Sequence, residues 1–174
     1  MIFEFAIAIT IVLGCALLGL AVWSDMREHR IPNRLILGLL LTGFVYQVLV
    51  NGPVGLLYAF GGFAVGIALF IGFYVGRGMG AGDVKLMGAA GVLLGPSGAL
   101  LAGAFSLIAG FVLVLGARQV VHFAHQYTAL RAIPDFFVLK NDAIRVPYAP
   151  AIAAGCFVAM WQLGTFSTLA AVTR

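Results

Sequence analysis

Residues 35–76 contain no Asp, Glu, Lys or Arg, and residues 1–23 contain a single charge, Glu4. Runs of that length cannot form the surface of a soluble domain, in which about 25% of residues are charged. Across the 174 residues only 9% are charged, six acidic and ten basic, while 63% are hydrophobic and the mean hydropathy is +1.10. Lipid must therefore be the solvent for much of the chain.

The apolar runs fall at roughly 2–23, 33–50, 54–75, 84–94, 99–117 and 148–169. A helix needs about 17–25 residues to cross the hydrocarbon core, so 84–94 is too short alone. It crosses only if it begins earlier, inside the glycine-rich run 76–83, where irregular backbone lines a protein cavity. The start Met1-Ile2-Phe3-Glu4-Phe5 lacks the basic n-region of a signal peptide, so the first segment reads as a retained transmembrane helix. The expected fold is an all-α membrane protein, a bundle of about six transmembrane helices forming a single domain over 1–174.

Loop charge orients this bundle. Arg27, Arg30 and Arg34 lie between the first and second segments, Arg77 and Lys85 between the third and fourth, and Arg118, Arg131, Lys140 and Arg145 in 118–147. The alternate connections, 51–53 and 95–98, are uncharged. With six crossings every Lys and Arg except Arg174 falls on one side, which is the cytoplasm by the positive-inside rule. Both termini then lie outside the cytoplasm. The net charge of +4 fits this orientation better than a nucleic-acid partner, because the basic residues form no single stripe.

Other features have ordinary readings. Cys15 and Cys156 lie in apolar stretches, where they are expected as small buried hydrophobes, and form no C-x-x-C pair, so no zinc site is expected. Gly62-x-x-x-Gly66 allows two helix backbones to approach closely. A short amphipathic helix is expected around Val120–Leu130, where His122 and His125 suit a surface better than a metal site.

Acidic residues at a membrane edge are functional candidates by default. Glu4, Glu28, Asp135 and Asp142 fall in flanks or loops that water can solvate. Asp25 ends the first segment, and Asp83 follows alternating glycines at the opening of the fourth. Both map to cytoplasmic helix ends, where they can meet without crossing the bilayer. Two carboxylates a few ångströms apart do not ionise together and share one proton at neutral pH. One can then activate a water while the other protonates a carbonyl, which suffices for peptide hydrolysis without a cofactor. Other roles stay open. Asp25 can pair with Arg27 or Arg30, and Asp83 can be an N-cap. The pair also suits a small transporter or channel, and a noncatalytic membrane scaffold remains a third class.

The stretch Ser24-Asp25-Met26-Arg27-Glu28-His29-Arg30-Ile31-Pro32-Asn33 resembles the first signature of the prepilin peptidases, aspartic membrane proteases that cut leader peptides from type IV prepilins. Gly80-Ala81-Gly82-Asp83-Val84-Lys85-Leu86 is similar to their second, Gly-x-Gly-Asp-x-Lys. Arg145-Val146-Pro147-Tyr148-Ala149-Pro150-Ala151 resembles their proline-tyrosine entry into a late helix. The motifs occur in family order, and 24–155 covers most of the chain. Gly-x-Gly-Asp alone is shared with presenilin-type proteases; its combination with the upstream motif is far more specific.

The resemblance implies that Asp25 and Asp83 are catalytic. Gly80 and Gly82 would let backbone and substrate approach closely, Pro32 would end the loop, and Asn33 would cap the second helix. Lys85 would tune Asp83 or snorkel to lipid phosphate, and Pro147 and Tyr148 would support the site. Longer relatives carry a cysteine zinc cluster in the first cytoplasmic loop, linked to N-methylation. Here the loop is about ten residues without cysteine. The expectation is a peptidase with no metal, cofactor or methyl donor, similar to those serving tight-adherence (Flp-type) pili. Archaeal preflagellin peptidases are also close relatives. The implied partners are a small prepilin with a basic leader and apolar helix, membrane lipid and pilus assembly machinery. The implied location is the bacterial inner membrane, with the site facing the cytoplasm.

Overall fold

The computed structural model describes residues 2–76, 78–126, 138–140, 143–145 and 147–165. Helix α1 (Ile2–Glu28) leads through a short turn to α2 (Asn33–Asn51). A 3-10 turn, Gly52–Val54, joins α2 to α3 (Gly55–Val75). Helix α4 (Ala81–Gln126) is kinked at Gly95, and α5 (Ala149–Gln162) closes the order. An antiparallel hairpin, β1 (Val138–Lys140) and β2 (Ala143–Arg145), is the exception to an otherwise all-α fold.

The expectation of about six transmembrane helices is corrected: among the described residues three stretches are long and apolar enough to cross a membrane. They are Phe3–Glu28, Asn33–Val75 and Ala81–Gly116. Apolar runs two and three count as one because helix resumes at once after the 3-10 turn. Runs four and five merge because only Gly95 leaves helical geometry, with φ 71° and ψ 179°. The sixth run is helical over Ala149–Gln162, 14 residues, which is below the span of the hydrocarbon core. The placement of both termini outside the cytoplasm rested on six crossings and falls with them. The chain is a multi-span membrane protein.

Large apolar side chains cover the outer surface, Leu57, Val75 and Phe111 among them. The interior is held by small residues and a few large ones. Phe70, Met87, Leu39 and Ile152 are fully buried in one cluster that also takes in Leu18 and Ala21. Helix α4 is the hub, packing on α2, α3 and α5. Its closest approach is to α3 through Gly62 and Gly66. A Cβ on Gly62 would run into the backbone of Gly91 and Gly95, and one on Gly66 into that of Met87. The small-residue spacing therefore serves a backbone contact within this chain.

The Gly95 break leaves main-chain groups that lipid cannot satisfy. Buried Gln47 answers it: its Nε2 donates to the Leu93 carbonyl at 3.1 Å, and its Oε1 accepts from Asn51 Nδ2 at 2.8 Å. The amphipathic helix expected around 120–130 is not a separate element. Residues 120–126 are the last turns of α4, and 127–130 lie outside the described residues. Of the cysteines, Cys156 is buried as expected, whereas Cys15 lies on the exposed face of α1.

Gly62→Ala should lower the thermal midpoint by overpacking α3 against α4, a destabilisation of about 1–3 kcal/mol. Gly72→Ala, on an exposed part of α3 with nothing within 4 Å of the added methyl, should gain about 0.5–1 kcal/mol from helix propensity. Thermal unfolding of the purified protein in detergent, followed by circular dichroism, measures both. Equal midpoints would contradict the backbone contact.

Candidate active site

The end of α1, the α1–α2 turn and the start of α4 enclose an open cavity of about 610 Å³. Asp25, Glu28, His29, Arg30 and Ile31 line it from the α1 side, with Pro32 and Asn33 from the start of α2. Gly80, Ala81, Gly82, Asp83 and Lys85 line it from α4. Both sequence-selected aspartates thus open on one pocket, and they are near enough for their charges to repel.

Each aspartate is held by a helix N-terminus. Asp83 is the third helical residue of α4, and its Oδ2 accepts the Gly80 main-chain N–H at 3.2 Å. In return the Asp83 N–H donates to the Gly80 carbonyl at 3.2 Å. This is the reciprocal logic of a capping box, with Gly80 rather than Asp83 in the cap position. Asp25 sits in the last turns of α1 and is only 7% exposed. Its Oδ2 accepts the N–H of Ala149, the first residue of α5, at 3.1 Å. Arg27, a possible partner for Asp25 on sequence grounds, instead lies over the Trp23 ring at 5.0 Å.

The turn between α1 and α2 is tightly specified. His29 has φ 49°, the one positive φ at a non-glycine residue among those described. Left-handed backbone here costs roughly 1–2 kcal/mol, although histidine is enriched among the residues that tolerate it. The His29 N–H closes on the Asp25 carbonyl at 2.9 Å, and Ser24 Oγ donates to the Arg30 carbonyl at 3.0 Å. The chain therefore folds back directly under Asp25, and the His29 side chain lies close enough to interact with the Asp25 charge. Pro32 then starts α2 as its N-cap, with ψ 132° and no side-chain cap bond. Asn33 is thus the first helical residue and not the cap, because the fixed proline φ supplies the extended entry.

The remaining selected residues divide. Gly80 is crowded, since a Cβ would meet Asp83 Oδ2 at 3.2 Å. Gly82 is open, with Ile31 the nearest neighbour to an added Cβ at 3.7 Å. Neither has positive φ, so their smallness keeps the pocket wall low and does not relieve backbone strain. Lys85 is exposed at the pocket rim. Pro147 and Tyr148 do not line the cavity, but they lead directly into Ala149. The Tyr148 hydroxyl donates to the Ser106 carbonyl at 2.9 Å, and its ring meets Phe70 edge-on at 6.0 Å. Burial and the nearby Asp83 charge push the Tyr148 phenol up to about 12, so it stays a neutral donor.

His29, Arg30, Ile31 and Ala81 line the pocket without having been selected on sequence grounds, whereas Glu28 is one of the few spare acids there for a basic leader. His29, Arg30 and Ile31 fall inside the first motif and Ala81 inside the second, which is the signal that points to them. Arg77, Asp135 and Asp142 lie outside the described residues. Among the described residues no three His, Cys, Asp or Glu side chains stand together so as to hold a metal ion.

Comparison with protein-family models matches residues 12–115 to the Type IV leader peptidase family. The match takes in more than half of the chain and spans both Asp25 and Asp83. None of the curated proteins and none of the solved structures compared matches the chain. The chain belongs to the Type IV leader peptidase family, the prepilin peptidases, which are aspartic proteases of the membrane.

Proposed function

We propose that this chain removes the leader peptide from small Flp-type prepilins at the cytoplasmic membrane face, with Asp25 and Asp83 as its catalytic pair. The observation that carries this reading is the shared pocket. Two carboxylates from helices far apart in sequence face one cavity, each held through one oxygen by a main-chain N–H.

In the mechanism, one aspartate is ionised and the other protonated. The ionised carboxylate takes a proton from a water lying between them as its oxygen attacks the scissile carbonyl. The protonated carboxyl donates to that carbonyl oxygen, giving a neutral tetrahedral diol. Collapse breaks the C–N bond as the leaving nitrogen takes up a proton from the carboxyl that first accepted one. A diol hydroxyl returns its proton to the other carboxylate, so the pair is regenerated. A peptide bond inside a helix is shielded from attack, so the cleaved segment must lie extended across the pocket. The low wall at Gly82 leaves room for such a strand.

The basic residues Arg27, Arg30, Arg34 and Lys85 cluster at the same helix ends, which supports a cytoplasmic-facing site. Glu28, on the pocket wall, supports a basic leader as the segment preceding the cut. The α1–α2 turn spans only His29–Pro32 and contains no cysteine, in keeping with peptidase activity without N-methyl transfer.

Asp25→Asn and Asp83→Asn should each reduce leader removal by about 10²–10⁴-fold while membrane insertion is retained. Cleavage of a prepilin in proteoliposomes by each purified variant is the measurement, and wild-type processing by either would remove the pair from the mechanism. Because one carboxylate must be ionised and one protonated, the rate should fall towards both acid and alkaline pH. A rate rising monotonically with pH would contradict the shared proton. Lys85→Met should slow cleavage if the ammonium acts on the site; an unchanged kcat would assign Lys85 to the membrane interface.

A further inference from the structure

We propose that the N-terminus of α5 is a third component of the active site, that Tyr148 positions it, and that it assigns Asp25 the role of general base. This deepens the peptidase reading above and rests on it. Asp25 and Ala149 are brought together from opposite ends of the chain, and their hydrogen bond is buried. The Tyr148 main-chain N–H, one residue earlier, lies close to the same carboxylate. Asp83 accepts from one main-chain donor, Gly80, and that bond is exposed.

Donors at the start of a 14-residue helix favour the ionised form of a carboxylate that they reach. The start of α5 thus holds Asp25 ready to take a proton from water. Asp83, with the weaker claim on the negative charge, carries the shared proton towards the scissile carbonyl.

The α5 terminus must be rigid for this to work, and Tyr148 supplies the rigidity. Its side chain touches neither pocket nor reacting atoms, so it is a positioning residue. Its hydroxyl fastens the entry of α5 to the Ser106 carbonyl in the second half of α4, and its ring rests on Phe70 of α3. Gly110 leaves the space the ring occupies, since a Cβ there would run into it. Ser106 Oγ makes a separate contact with the Ile152 carbonyl at 3.4 Å. The titratable and charged groups facing Asp25 are Glu28, His29 and Arg30 from α1 and its turn, Asp83 and Lys85 from α4, and Tyr148 before α5.

The test is the pH dependence of kcat and KM for full-length protein in detergent micelles. The probe is a synthetic prepilin peptide with a basic leader, a glycine and an apolar helix. Tyr148→Phe removes only the hydroxyl. It should lower kcat about ten- to a hundredfold with KM unchanged, and move the acid limb of the profile up by about half to one pH unit. Gly110→Ala, which keeps the hydroxyl but displaces the ring, should move the same limb and serves if the first variant folds poorly. Ser106→Ala retains the main-chain acceptor and should leave the limb at its wild-type position.

An acid limb unmoved in both Tyr148→Phe and Gly110→Ala would overturn the proposal, whatever happens to their melting temperatures. That outcome is distinct from failure of the peptidase reading, which shows as cleavage by the Asp25→Asn or Asp83→Asn protein. Inactive aspartate variants with an unmoved limb reject the role of α5 alone.

Discussion

Main-chain groups in a lipid-facing bundle have no water to bond, so every helix end and every break buried there needs a partner from the protein itself. That constraint organises this molecule. The Gly95 break in α4 receives Gln47, the start of α4 receives Asp83, and the start of α5 receives Asp25. Among the described residues no buried side-chain nitrogen or oxygen lacks a hydrogen-bond partner. The two acids proposed as the catalytic pair are the same groups that complete two helix starts.

This double use answers the question of how a nearly charge-free chain keeps two carboxylates at the end of its helices. An unpaired buried carboxylate is too costly to hold in place. Here each is fixed through Oδ2 by a main-chain donor of a helix start, in the geometry that anions favour. Both carboxylates also line the open pocket, where water can reach them. Capping and catalysis, which are rival explanations for Asp83 when only the sequence is read, turn out to be compatible.

The sequence made some of this readable and hid the rest for physical reasons. Asp25 and Asp83 stood out because acids are rare in the chain and these two sit at the ends of apolar segments, and the Gly62–Gly66 spacing announced a close helix contact. Apolar runs did not reveal how the helices are counted. Gly52-Pro53 and Gly95-Pro96 look alike as breakers, yet one makes a 3-10 turn and the other a one-residue kink within α4. The left-handed turn at His29 was hidden because histidine takes that conformation only where its surroundings force it. The bond from Ala149 to Asp25 was hidden most completely. It joins residues 124 positions apart, and a main-chain donor leaves no mark on the identity of its residue.

The same arrangement decides which substitutions carry information about this site. Removing the Asp25 side chain with alanine would strip α5 of the acceptor for its first N–H as well as removing the carboxylate, so lost activity would not distinguish chemistry from helix docking. Asparagine keeps an amide oxygen where Oδ2 stands and can still accept from Ala149. It lacks the carboxylate's ability to take up a proton. The same holds for Asp83 and the Gly80 N–H. Where the proposed catalytic groups also accept from helix starts, the isosteric amide alone separates the reaction from the fold.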